Sequence, residues 1–224
     1  MALQFSRRQF TKSVGAVSAG LVSPSLLMAD DNLPQPRKAK GADFTSGGRP
    51  LLVSVEGKDI EKMLAKAIDV IGGLGKVVTK GDRVFIKPNY GSHRAYPTGS
   101  DPRFLVSIAQ QAMKAARCEV TICDSSDAYV LSKYNDFEYV FKVNNVFDIA
   151  QKAGVKVICT HPTDEKQYVA VRSGKWEKNP EIKINRHLLG SSVIINQPML
   201  KKHNESYMTC ALKIFFWRRI SAAA

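Results

Sequence analysis

Within the 18 residues from Asn196 to Lys213 come Asn196, Lys201, Lys202, His203, Asn204, Thr209 and Lys213, mostly cations and hydrogen-bond donors. Lysine binds carboxylate or phosphate groups as a compact point charge, and an asparagine amide orients what the charge holds. Imidazole ordinarily changes charge near neutral pH, which makes His203 the natural proton carrier. Two more clusters lie upstream. Lys87 and Asn89 flank Pro88, and Asp124 opens the run Asp124-Ser125-Ser126-Asp127. Asp124 has the chemistry of a general base, a cation partner or a metal ligand, and equally that of a turn or cap residue. The expected chemistry is capture of an anionic substrate or cofactor by Lys87, Lys202 and Lys213, its orientation by Asn89 and Asn196, and proton transfer by His203 and Asp124. The competing reading is a solvated loop, because surface lysines commonly do no more than stay wet.

Each of these clusters follows a segment that reads as a strand. The apolar run Val193-Ile194-Ile195 precedes Asn196, and its β-branched content suits a buried strand. Arg83-Val84-Phe85-Ile86 precedes Lys87, and Pro88 cannot continue a central ladder. Residues 119–123 precede Asp124, and 51–55 and 155–159 read as further strands. Between them, Ile60, Met63, Leu64, Ala67, Ile68 and Ile71 repeat at spacings of three and four, the mark of a helix with one apolar face. Asp101 and Pro102 are an N-cap and first helical residue for a helix reaching about Arg117. Residues 135–154 read as one helix, and 168–184, with weak alternation, as a hairpin excursion. This alternation predicts an α/β fold with a mostly parallel, doubly wound sheet and helices on both faces. In such sheets ligands bind outside the carboxyl ends of the strands, where all the clusters sit.

Composition fits a conventional globular domain: 44% of the residues are apolar and 24% charged. The net charge of +13 does not fit the average, and Arg7, Arg8 and Lys12 account for only three of it, leaving +10 beyond Ala29. That excess favours an anionic partner. A small anion suits better than nucleic acid, because the cations are scattered and no zinc-finger spacing or RNA-binding aromatic signature occurs. Cys118, Cys123, Cys159 and Cys210 form neither a CxxC pair nor a ferredoxin-type run, so they read as structural thiols. Cys118 and Cys123 on one extended strand would stand roughly 16 Å apart, too far to bridge.

Ser6-Arg7-Arg8-Gln9-Phe10-Thr11-Lys12 resembles the twin-arginine export consensus and precedes a small-residue run rich in Ser and Gly that makes a poor membrane span. The resemblance implies export of an already folded protein to the periplasm through the twin-arginine machinery, with residues 1–29 as signal peptide. Residues 30–50, with Pro34, Pro36, Gly41, Gly47, Gly48 and Pro50, read as a flexible linker. Residues 51–213 form the α/β domain.

Lys87-Pro88-Asn89 after one strand, Asp124 after the next, and Asn196-Gln197-Pro198-Met199-Leu200-Lys201-Lys202-His203 before Thr209-Cys210-Ala211-Leu212-Lys213 together resemble the family called domain of unknown function 362. The likeness runs from about Val84 to Lys213. It implies a fold like that of the nickel-pincer lactate racemase group, an iron–sulfur or metal link, and a ferredoxin-type partner, although no ferredoxin cysteine motif is present. Two alternatives to an enzyme stay open: a non-catalytic anion-binding or electron-transfer accessory protein, and a nonfunctional truncated product. The last arises because the family continues its Leu-Lys with Asn and a Gly-containing turn, whereas residues 214–224 read Ile-Phe-Phe-Trp-Arg-Arg-Ile-Ser-Ala-Ala-Ala. A frameshift near Lys213 is the hypothesis this raises. Gene sequencing tests it, and an intact stop with no family-like codons in another frame would reject it.

Overall fold

The computed structural model describes residues 44–91, 93–125, 128–172, 181–203 and 207–211. The described chain opens with a hairpin, β1 (Thr45–Ser46) and β2 (Arg49–Pro50), inside the stretch expected to be a linker. Gly47 and Gly48 both take positive φ, 58° and 74°, as a two-residue turn matched to strand twist requires. The strand expected at 51–55 is absent. Leu51, Val53 and Val55 are half-buried and Leu52 is 91% exposed, so the alternation is real, but no strand among the described residues pairs with it. Period-two hydrophobicity records contact with a surface on one side; a strand also needs a backbone partner.

Helix α1 (Ile60–Val70) follows, with the Asp59 carboxylate accepting from Lys62 N. Then come β3 (Arg83–Lys87), α2 (Pro102–Ala115) and β4 (Glu119–Ser125). Asp101 caps α2 and Pro102 occupies its first turn, as the sequence predicts. Leu105, Ala109 and Ala112, at spacings of four and three, put their side chains out of water on one face.

Helix α3 (Ala128–Tyr134) precedes the stretch 135–154, and the single helix expected there is two shorter ones, α4 (Tyr139–Val143) and α5 (Val146–Lys152). The break lies at Asn144 and Asn145. Asn144 turns its amide back to donate to Val140 O at 2.7 Å and to accept from Tyr96 N at 2.8 Å, while Asn145 adopts a left-handed φ of 53°. Short amide side chains compete with the helix ladder in this way, and apolar spacing alone does not register it.

Strand β5 (Lys156–Thr160) precedes the antiparallel pair β6 (Tyr168–Arg172) and β7 (Glu181–Asn185), the predicted hairpin excursion. Helix α6 (Arg186–Leu189) leads into β8 (Val193–Asn196), and a second antiparallel ribbon, β9 (Lys201–His203) with β10 (Tyr207–Thr209), closes the described chain. The central sheet has four parallel strands in the order β5-β4-β3-β8. Val84, Ile86, Val120 and Ile122 meet α2 and α5 in the core, with α2 packed between α1 and α5. Connections from β3 run outward on one side to β4 and β5, and the chain then returns to place β8 on the other side of β3. The strand order therefore reverses between β3 and β8. Among the described residues no helix is long and apolar enough to cross a membrane.

Candidate functional site

At that reversal Lys87, the last residue of β3, stands in register with Asn196, the last of β8, and Gln197 N donates to Lys87 O at 2.9 Å. The Lys87 side chain curls over its own strand end: Nζ donates to Pro88 O at 2.9 Å and meets Asp124 Oδ2 at 2.6 Å. Both partners of this ion pair are buried. Asp124 also accepts from Ser125 N at 2.8 Å and Tyr90 N at 3.4 Å. Burial pushes the Asp124 carboxyl above the ordinary carboxylate range, against the opposing pull of the Lys87 ammonium and the two N–H donors. Of the roles open to Asp124 in the sequence, the one its contacts display is cation partner.

The loop after β3 is joined to the segment after β8 by Ser100, which is fully buried. Its Oγ accepts from Asn89 N at 2.7 Å and donates to Gln197 O at 3.3 Å, and its N donates to Asn89 O at 3.2 Å. Two further bonds tie the β9–β10 ribbon to the same corner. Asn196 Nδ2 donates to Ala211 O at 2.9 Å, and Lys201 Nζ donates to Thr98 O.

Within this stapled corner the polar accounting does not close. Asn89 Nδ2, Asn196 Oδ1, Gln197 Oε1 and Thr209 Oγ1 are buried and have no hydrogen-bond partner among the described residues. Asn89, Gln197 and Thr209 are each more than nine-tenths buried. A fifth orphan, the Tyr90 hydroxyl, belongs to a ring packed edge-on to Phe141 at 5.2 Å, and burial raises its phenol further above the ordinary range. Buried polar atoms are paired in the great majority of cases, so several orphans on three neighbouring segments call for an explanation. The set mixes an amide donor, two amide acceptors and hydroxyls of both kinds. Such a lining suits a small molecule that itself carries acceptors and donors.

The residues singled out in the sequence divide between two places. Lys87, Asn89, Asp124 and Asn196 come together at the β3–β8 corner. Lys202 and His203 lie on β9, where alternation sets Lys201 and His203 on one side and the exposed Lys202 on the other. Thr209 stands opposite Lys201, and Tyr207 opposite His203. Lys213, Asn204 and the 214–224 tail lie outside the described residues. Sequence reasoning left Ser100, Gln197 and Tyr90 out of the site, and passed over Lys201 in favour of Lys202. Gln197 was discoverable, since it directly follows a strand end and precedes a proline; Ser100, lying 11 residues from Asn89, carried no signal of its own. The four cysteines are free thiols, and among the described residues no group of three His, Cys, Asp or Glu side chains is placed to hold a metal.

Fold and corner together define a parallel α/β protein with a polar, partly unsatisfied site at the carboxyl edge of its sheet. The family profile described as domain of unknown function (DUF362) matches residues 84–216, more than half of the chain, and the chain belongs to that family. The match begins in β3 and extends past β10, so it takes in every strand of the central sheet and all the residues of the corner. No curated protein and no solved structure matches the chain.

Proposed function

We propose that this chain is an exported α/β protein that binds a small anionic, hydrogen-bonding substrate or cofactor at the β3–β8 corner, within a sheet of the doubly wound type. The observation that carries the reading is the set of orphaned polar atoms: Asn89 Nδ2, Asn196 Oδ1, Gln197 Oε1 and Thr209 Oγ1. Leaving a buried polar group unpaired costs about 1–3 kcal/mol, so a corner that keeps several is reserving them for a partner. The reversal of strand order between β3 and β8 supports the same place, for ligands of open parallel sheets lie at such points. Lys87 is matched by Asp124, which leaves the ribbon lysines to attract the anion and Asn89, Asn196 and Gln197 to orient it. In this reading Asp124 and His203 handle protons. The Asp124 carboxyl, raised above its ordinary range by burial and set 2.6 Å from the Lys87 ammonium, is in this reading the group that exchanges a proton with the ligand. The twin-arginine pattern at Arg7 and Arg8 belongs to the same proposal, since that route carries folded proteins and the corner would be assembled before export.

Gln197→Met and Thr209→Val test the reading. Each removes an orphaned polar atom while roughly keeping volume, so each should stabilise the unliganded protein by about 1 kcal/mol. Acetate, glycolate and inorganic phosphate serve as probes in thermal melts; whichever raises the Tm of the wild type should do so less in both variants. Destabilisation by both substitutions, with an unchanged response to the probes, would mean that these atoms serve the fold and not a ligand.

A further inference from the structure

A parallel sheet sends all its strand starts to the edge opposite the ligand corner, and here that edge is basic. Lys80 and Arg83 lie at the entry to β3, Lys114 and Arg117 at the passage from α2 to β4, and Lys152 and Lys156 at the passage from α5 to β5. Gly81 N donates to Arg117 O at 2.7 Å and Glu119 N to Asp82 O at 2.9 Å, while Arg83 is in register with Glu119, so the first two passages lie side by side. The third is next, because β4 pairs with β5. With neighbouring strands about 4.8 Å apart, the three passages make one continuous rim.

All six cations are exposed, and none of their side chains forms an ion pair or hydrogen bond among the described residues. Acids do little to offset them. Asp82 is buried and accepts from Thr79 and Ser192, and Asp69 pairs with Lys66, which leaves Glu119 as the exposed acid among the strand entries. Lys114 and Lys152 sit in the last turns of α2 and α5, where a cation offsets the helix dipole. That account does not reach Lys80, Arg83 or Lys156.

We infer that this rim docks the protein on an anionic phospholipid surface. No aromatic residue occurs in 76–83, 114–119 or 152–156, whereas single-stranded nucleic acid is held by stacking. Four of the six cations are lysines, a residue depleted from specific protein interfaces. An anionic bilayer asks only for unpaired positive charge close to its surface, and each such residue contributes about 1 kcal/mol. Docking by the rim turns the β3–β8 corner away from the lipid, toward water and its ligand.

The test is co-flotation of the full chain with phosphatidylcholine vesicles, with and without phosphatidylserine, using two triple variants of equal charge change. Lys80→Gln/Arg83→Gln/Lys156→Gln should lower affinity for the anionic vesicles roughly tenfold or more. Arg49→Gln/Lys58→Gln/Lys166→Gln, exposed cations outside the three passages, should change it little. Residues 1–43 are common to all three proteins, so their contribution cancels, and both triples should keep the wild-type melt. Equal losses in the two triples would reduce the effect to net charge. Equal binding to neutral vesicles, or tighter rim-dependent binding to a DNA duplex, would also overturn the inference.

Discussion

Lys87 and Asp124 form the most consequential pair of side chains in the molecule. Their side chains are 7% and 6% exposed at a separation of 2.6 Å, so water screens neither charge. Removing one partner of such a pair leaves the other charge buried and uncompensated. Lys87→Met should therefore cost about 3–5 kcal/mol in urea unfolding, and Lys87→Met/Asp124→Leu should recover most of that loss, because apolar replacement of a whole buried pair is often close to neutral. A single variant within about 1 kcal/mol of wild type would show that the pair is hydrated and is not a buried element of the corner. The same double variant separates structure from function: if it folds and still answers to the probes that stabilise the wild type, the pair supports the strand ends without touching the ligand.

At the scale of elements, the excursion between β5 and β8 depends on Asn185. This residue is 2% exposed and serves two elements at once. Its Oδ1 accepts from His187 N at 2.8 Å and Leu188 N at 3.4 Å, capping α6, while its Nδ2 donates to Thr160 Oγ1 at 3.2 Å. Thr160 passes the link on, donating to Asp124 O at 3.3 Å, so the β6–β7 hairpin is anchored to the strand end that carries the ion pair. Asn185→Ala loses the cap and the bond to the Thr160 hydroxyl, which keeps Asp124 O as its acceptor, and should cost about 1–2 kcal/mol by thermal or chemical melt. A loss under about 0.5 kcal/mol would mean that the hairpin is held by its other contacts, the Tyr168 ring among them.

Over the whole molecule the charge is divided by sheet polarity. Lys87, at the carboxyl edge, is neutralised by Asp124, whereas the six cations of the amino-edge rim have no ion-pair partner among the described residues. One consequence is measurable in pH dependence. Desolvation, and secondly the Lys156 cation, hold His187 below the usual histidine value of 6.5. The unfolded chain then takes up a proton that the folded one resists, so stability is lost as pH falls below about 6.5 and is fully present above it. His187→Gln should flatten that part of the profile, with urea midpoints measured at pH 5 to 8 as the check. An unchanged slope would place the titrating group elsewhere.

Much of this architecture was already written in local patterns. Asp101-Pro102 marked the start of α2, Pro88 marked the end of β3, and the apolar runs named β3, β4, β5 and β8, since caps, proline geometry and burial act over a few residues. The same patterns put Lys87, Asn89, Asp124 and Asn196 at strand ends. What they could not supply was partnership across distance. Residues 51–55 have the alternation of a strand and no partner strand among the described residues, and the helix expected at 135–154 breaks because Asn144 finds Val140 and Tyr96. Only the tertiary structure brings Ser100 between Asn89 and Gln197 and sets Lys87 against Asp124. Strand order, and with it which polar atoms are buried together, depends on contacts between residues 30 to 110 positions apart, where no local propensity acts.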